Sequence, residues 1–196
     1  RQTAFTVAVI ALSAKMAKAD GQVTRDEIDA FREVFHVPPA EVKNVGRIFD
    51  LARKDARGFE PYARQVARMF ASNSAVLEEL LDALFHIAKA DKVMHPCELD
   101  YLKSVAEIFD FSETEFERIR AGHLGADAAD PYMVLGVAHN ADEAEIRTSW
   151  RKLIRENHPD SLIAQGMPQD FIDVANDKMA AINGAWDAVQ RQRGIK

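Results

Sequence analysis

The chain has 196 residues, 47% of them apolar and 29% charged, which is enough for a folded core and excludes a disordered or fibrous polypeptide. Its 25 Lys plus Arg against 31 Asp plus Glu leave a net charge of −6, which argues against nucleic acid as a partner because phosphate coating needs a cationic footprint. One cysteine, Cys97, closes no intrachain disulfide, and no Cys-x-x-Cys pair offers a structural metal site, so a reducing cytoplasm fits best.

Arg1 in place of Met reads as a start inside a longer chain. The most apolar stretch, Phe5 to Ala14, is far shorter than the roughly 20 residues needed to cross a bilayer. Apolar residues recur at spacings of three and four, and no run alternates with period two, so an all-α protein is expected. Thr24 with Glu27, and Ser112 with Glu115, have the spacing of capping boxes. Pro38-Pro39 ends one helix and begins another, and Gly58, Asn73 and Pro96 punctuate the rest, giving about seven helices before Gly122. The Gly, Ala and Asp stretch His123 to Ala129 has no period and reads as a linker, dividing the chain into domains 1–122 and 130–196.

The first of these contains a repeat. A shift of 71 positions lays Ala17-Lys18-Ala19-Asp20 on Ala88-Lys89-Ala90-Asp91, and Glu27, Asp29 and Val34 on Glu98, Asp100 and Val105, seven identities between positions 17 and 34. In each copy an apolar helix, Phe5 to Ala19 or Val76 to Ala90, ends in a Lys-Ala-Asp corner and hands over to an amphipathic one. Helices apolar on most of their circumference belong at the centre of a fold, so the two are expected to pair near a pseudo-twofold axis.

The Lys-Ala-Asp-Gly corner with Glu27 six residues after Gly21 resembles the TerB family, a helical fold linked to tellurite resistance and stress responses. That resemblance covers about residues 3 to 120 and implies metal-binding candidates at Asp20, Glu27, Asp91 and Glu98. The residues themselves favour turn and capping roles, and Asp20-Gly21-Gln22-Val23-Thr24 lacks the alternating oxygen ligands of a calcium loop, so no metal is assigned. His95 and Cys97, with His86 inside an apolar helix, do not complete a tetrahedral zinc site.

The strongest signal is His158-Pro159-Asp160 in its frame. Tyr132-Met133-Val134-Leu135-Gly136-Val137 precedes it, then a charged helix from Ala144 to Asn157 containing Trp150-Arg151-Lys152-Leu153; Ala175, Lys178, Met179, Ile182, Asn183, Ala185 and Trp186 follow. These features in this order resemble the J domain of the DnaJ family over nearly all of residues 130 to 190. A helical hairpin is expected, held by Ile146, Trp150, Leu153 and Ile154 against Met179, Ile182 and Trp186, with a loop of about 14 residues and the tripeptide at its tip. Pro159 is expected to forbid further helix there. Trp150 and Trp186 stand where Tyr is usual, Met179 where Phe is, Glu156 where Lys or Arg is frequent, and Ser161 where Lys is common.

Arg147, Arg151 and Arg155, spaced by four, form a cationic stripe with Lys152 beside it, in a domain of eight basic and ten acidic residues. The resemblance implies that this stripe and His158, Pro159 and Asp160 bind a DnaK-type ATP-dependent chaperone and trigger its ATP hydrolysis. The N-terminal domain would recruit a client or a membrane-associated partner. A TerB-like domain followed by a C-terminal J domain resembles the DjlA-like branch of the family, which is typically anchored by an N-terminal membrane segment; the expected location is cytoplasmic, membrane-associated if such a segment precedes Arg1. A stress-response or metal-responsive scaffold in which the J-like domain only docks is the alternative. No nucleophile pair, phosphate loop or cofactor motif marks an enzyme, and no cofactor is expected.

Overall fold

Eleven α-helices and one 3-10 turn, with no strand, make up the residues described by the computed structural model: 2–20, 25–35, 42–54, 58–90, 94–125 and 128–195. Seven helices precede the change of module: α1 Gln2–Asp20, α2 Arg25–Phe35, α3 Val42–Lys54, α4 Glu60–Met69, α5 Ser74–Ala88, α6 Pro96–Ile108 and α7 Glu113–Gly122. Four more follow: α8 Pro131–Val134, α9 Glu143–Asn157, α10 Pro159–Ala164 and α11 Ile172–Arg193, with the 3-10 turn at Gln169–Phe171 before the last.

The two apolar helices are central, as their sequences require. Every residue of α1 from Ala8 to Ala17 is buried, and α5 is buried along nearly its whole length. They pack on each other, and α1 also lies on α6 while α5 lies on α2. The leading helix of each repeat thus rests on the follower of the other, the reciprocal arrangement expected of a pseudo-twofold repeat. The Tyr101 hydroxyl of α6 donates to the Leu12 carbonyl of α1 at 2.8 Å, and burial pushes its pKa upward.

The helix ends follow local chemistry. At the start of α7 the Ser112 N–H donates to Glu115 Oε2 at 2.8 Å, and the Glu115 N–H donates to Ser112 Oγ at 3.3 Å, closing the expected capping box. Ser112→Ala is expected to lower stability by about 1 kcal/mol, read as a reduced urea midpoint; an unchanged midpoint would show that the box contributes nothing. Asp110, at φ 67°, closes a Schellman turn after α6 in which the Phe111 N–H reaches the Ala106 carbonyl at 3.0 Å. Thr24 and Pro38-Pro39 lie outside the described residues.

In the second module α9 and α11 form the expected antiparallel hairpin around Ile146, Leu153, Ile182, Ala185, Trp186 and Val189. Trp150 and Trp186 stack with centroids 4.8 Å apart, and the Trp150 indole N–H donates to Asn183 Oδ1 at 3.1 Å. Met179, expected in that core, is only half-buried and lies outside it. The connection between the hairpin arms is not a plain loop either, since α10 and the 3-10 turn occupy it.

The two modules share a core. Leu162, Met167 and Phe171, each fully buried, join Val174 and Ala175 in the same apolar cluster as Leu80, Leu81, Leu84 and Phe85 of α5. The Asn73 amide donates to the Gln165 carbonyl at 3.3 Å, and Gly136, at φ +65°, approaches Arg118 so closely that a Cβ there would meet its Cδ at 2.9 Å. His123, within the stretch that reads as a linker, is packed into this seam: it stacks on Phe85 at 4.9 Å and its Nε2 lies 2.6 Å from Asp82.

Candidate functional site

The tripeptide occupies the corner where α9 ends and α10 begins. His158, with φ −63° and ψ 130°, is both the last cap of α9 and the first cap of α10. Its Nδ1 accepts the Asp160 N–H at 3.2 Å. The same nitrogen lies 3.8 Å from Asp160 Oδ2, too long for a hydrogen bond, so capping governs the tautomer and the neutral ring carries its proton on Nε2. Pro159 fills the first helical position of α10, where a missing N–H costs nothing. This corrects the expectation that Pro159 forbids further helix: it ends α9 and starts a new helix two residues on. Asp160 therefore projects from a first helical turn with its side chain 90% exposed, and the His158 side chain is 50% exposed.

Behind this corner, the Asn157 side chain donates to the Leu153 carbonyl at 2.8 Å and is itself buried. It anchors the last turn of α9, and only its place directly before the tripeptide hinted at that in the sequence.

Of the cationic stripe, Arg151, Lys152 and Arg155 stand exposed on α9. Arg147 is engaged within the module: its guanidinium lies 2.5 Å from Glu143 and 5.6 Å over the Trp186 ring. At the other end of α11, Arg193 donates to the Tyr132 hydroxyl at 2.9 Å, to the Ala141 carbonyl at 2.6 Å and to the His139 carbonyl, tying the opening segment to the hairpin.

The metal candidates do not assemble. The Asp20 and Glu27 side chains and all of Asp91 lie outside the described residues, while buried Glu98 accepts the His95 N–H at 3.0 Å, the capping role that its position suggested. Among the described residues no group of three or more His, Cys, Asp and Glu could hold a metal ion. Cys97 is exposed.

A second charged constellation was missed in the sequence. On α5, Glu78, Glu79 and Asp82 are buried, and Lys178 of α11 sits between them with Nζ 2.7 Å from Glu78 Oε1, 2.7 Å from Asp82 Oδ2 and 3.9 Å from Glu79 Oε2. Arg118 of α7 adds a 2.6 Å pair to Glu78, and His123 closes the group on Asp82. Burial alone would raise the Asp82 pKa, but Lys178 first and then His123 override it and hold the carboxyl near 2. Glu78 is likewise lowered by Lys178 and Arg118 against its burial. Glu79 goes the other way: burial pushes it up to about 8, Asp82 and Glu78 add to the rise, and Lys178 only partly opposes it. The available signal was three acids within one turn of a helix otherwise apolar all round, which required a cation from elsewhere in the fold.

The family model of the Tellurite resistance protein TerB matches residues 6–121, and that of the DnaJ domain matches residues 130–193. The chain belongs to the TerB family and carries a DnaJ domain behind the TerB domain. Co-chaperone protein DjlA of Photobacterium profundum is 28% identical over 222 residues, covering 100% of this chain and 80% of that protein. Those of Aliivibrio fischeri and Vibrio vulnificus are 28% and 27% identical, again over 100% of this chain and 81% and 80% of theirs. No solved structure matches. The TerB–DnaJ order and these relatives support a DnaJ-type co-chaperone, with an ATP-dependent chaperone of the DnaK type as the partner that a J domain implies. Among the described residues no helix is long and apolar enough to cross a membrane.

Proposed function

We propose that the J domain engages the ATP-bound form of a DnaK-type chaperone and stimulates its ATP hydrolysis, while the TerB domain determines where or on which client this happens. The working limits are 1–122 for the TerB domain, 123–129 for the connection and 130–196 for the J domain. The observation that supports this best is the exposed corner: His158 and Asp160 project from a helix junction stiffened by Pro159, with Arg151, Lys152 and Arg155 on the preceding helix. In this reading Asp160 and the outward-facing imidazole edge are contacts rather than catalysts. Arg151, Lys152 and Arg155 steer the approach to an acidic chaperone surface, with Arg147 supporting them from its place over Trp186. The corner must bind the chaperone's hydrolysis-competent conformation more tightly than its resting one, because a ligand shifts an equilibrium only through differential affinity.

Single-turnover ATP hydrolysis by the chaperone tests this. The wild-type chain should accelerate it; His158→Gln and Asp160→Asn should lose at least tenfold of that acceleration, about 1.4 kcal/mol of differential binding, with both variants still fully folded by circular dichroism at the assay temperature, although His158→Gln gives up the cap on α10 and should melt slightly lower. Equal stimulation by all three proteins would defeat the proposal. The wild-type effect should also weaken as salt rises from about 0.05 to 0.5 M, because exposed charges are screened.

A further inference from the structure

We infer that the TerB and J modules are latched into one cooperative unit, with Lys178 seated in the carboxylate pocket of α5 and Leu162, Met167 and Phe171 set into the TerB core. The inference is independent of which partner the His-Pro-Asp corner meets.

Three observations carry it. The first is the ion cluster: Lys178, an α11 residue whose side chain is only 9% exposed, has its counter-charges on α5 of the other module. A buried ammonium drawn away from those carboxylates would leave two like-charged groups without their main cation, so separating the modules is opposed by electrostatics as well as by apolar area. The second is apolar. The segment after the tripeptide contributes Leu162, Met167 and Phe171, all at 0% exposure, to a cluster dominated by TerB residues, and the 3-10 turn that carries Phe171 packs on α2. The third is the breadth of the seam, which also takes in α8 on α7, α9 on α5, Asn73 on Gln165 and His123 between Asp82 and Phe85. A cleft of about 220 Å³ runs along it, lined in part by His86, Arg118, Asp177 and Lys178, so the ionic latch forms part of the wall of that cleft.

The consequence is mechanical. The segment directly following the corner is held by the TerB domain, so His158 and Asp160 are presented at a fixed angle to it and the TerB domain serves as a rigid handle. Whatever that domain holds is then kept at a set position relative to the chaperone engaged by the corner.

The chain contains its own reporter. Both tryptophans, Trp150 and Trp186, lie in the J module and stack on each other, so their fluorescence follows that module alone, whereas far-ultraviolet circular dichroism follows every helix. Leu102, fully buried in α6, belongs to the TerB core and to none of the seam contacts above. In urea unfolding of the full chain, Leu102→Ala should lower the tryptophan and dichroism midpoints together, by on the order of 1 M. Conversely, Phe171→Ala should lower the whole dichroism transition, not a third of it. A tryptophan midpoint that stays in place while part of the dichroism signal moves would overturn the latch, because independent modules unfold independently. If Leu102→Ala does not fold, Val105→Ala on the same helix removes less volume and gives the same two readings.

Discussion

Lys178→Met is expected to cost about 3–5 kcal/mol, among the largest losses available to a single substitution in this chain, because it breaks a buried charge cluster by removing one sign only. Met has nearly the volume of the lysine stem, so little packing is lost, and the deficit should be electrostatic. Two carboxylates, Glu78 and Asp82, would face each other in the seam with Arg118 on one and His123 on the other. The variant can recover by taking up protons. In the wild type Lys178 is the main influence holding Asp82 near 2; without it, the Asp82 pKa should move up toward or beyond its ordinary value. The deficit should therefore shrink as the buffer is lowered from about pH 8 to about pH 5. Lys178→Arg keeps the charge and should lose much less, although a planar guanidinium does not sit between three carboxylates as an ammonium does. Urea denaturation of the three proteins at both pH values decides the matter: a loss below about 1 kcal/mol that ignores pH would mean that the cluster is solvated.

The different visibility of the two charged sites in the sequence has a physical cause. The corner at His158 is local. A proline, a cap and an exposed acid lie within three consecutive residues, and the helices on either side announce themselves by period, so the tripeptide and its hairpin were readable. The reach of that reading ended where longer-range packing took over. Pro159 stands just past the end of α9, but its fixed φ also suits the first position of α10, and nothing in the local sequence weights that second use over the first. Met179 occupies a position that is apolar by pattern, yet α11 turns its most buried faces toward α9 at Ile182 and Trp186 and toward α5 at Val174 and Ala175. Serving two neighbours in succession blurs the single stripe from which a core list is read. The seam was hidden for a related reason. Lys178 is 96 to 100 residues from its partners Glu78 to Asp82, and no local propensity connects an acid on one helix with a cation on another. Their presence in an apolar helix was the one clue, and it identified a need rather than a partner.

The repeat shows the opposite case. A shift of 71 residues aligned the Lys-Ala-Asp corners, and reciprocal packing of α1 on α6 and of α5 on α2 follows from it, because two copies of a helix that is apolar all round can bury themselves only against each other and against each other's followers. The symmetry breaks at the acids. In α5 the positions equivalent to Val7, Ala8 and Ala11 of α1 are Glu78, Glu79 and Asp82. The second copy thus carries carboxylates, where the first carries apolar residues, on the face that receives the J module.

That exchange has a pH signature, and Glu79 should dominate it. Its carboxyl is wholly buried without a hydrogen-bond partner among the described residues, and Lys178 at 3.9 Å is shared with the closer Glu78 and Asp82. With a folded-state pKa near 8 against an ordinary 4.5, the native chain binds one more proton than the unfolded chain between those values. Stability contributed by protonated Glu79 is then complete below about pH 4.5 and declines through pH 8, with a limiting slope of about 1.4 kcal/mol per pH unit. Asp82 acts in the other direction: with its folded pKa held near 2 against 3.8, its contribution is present above pH 3.8 and is lost as the buffer falls toward pH 2. The latch should accordingly be strongest around pH 4 to 5 and weaken on either side. Glu79→Gln mimics the protonated acid in shape and cannot ionise. Its absolute stability also reflects a new unpaired amide, so the informative quantity is the slope. Between pH 5 and 8 the variant's urea midpoint should stay nearly level while the wild type's falls, and parallel profiles for the two proteins would show that Glu79 ionises normally and that the seam admits water to it.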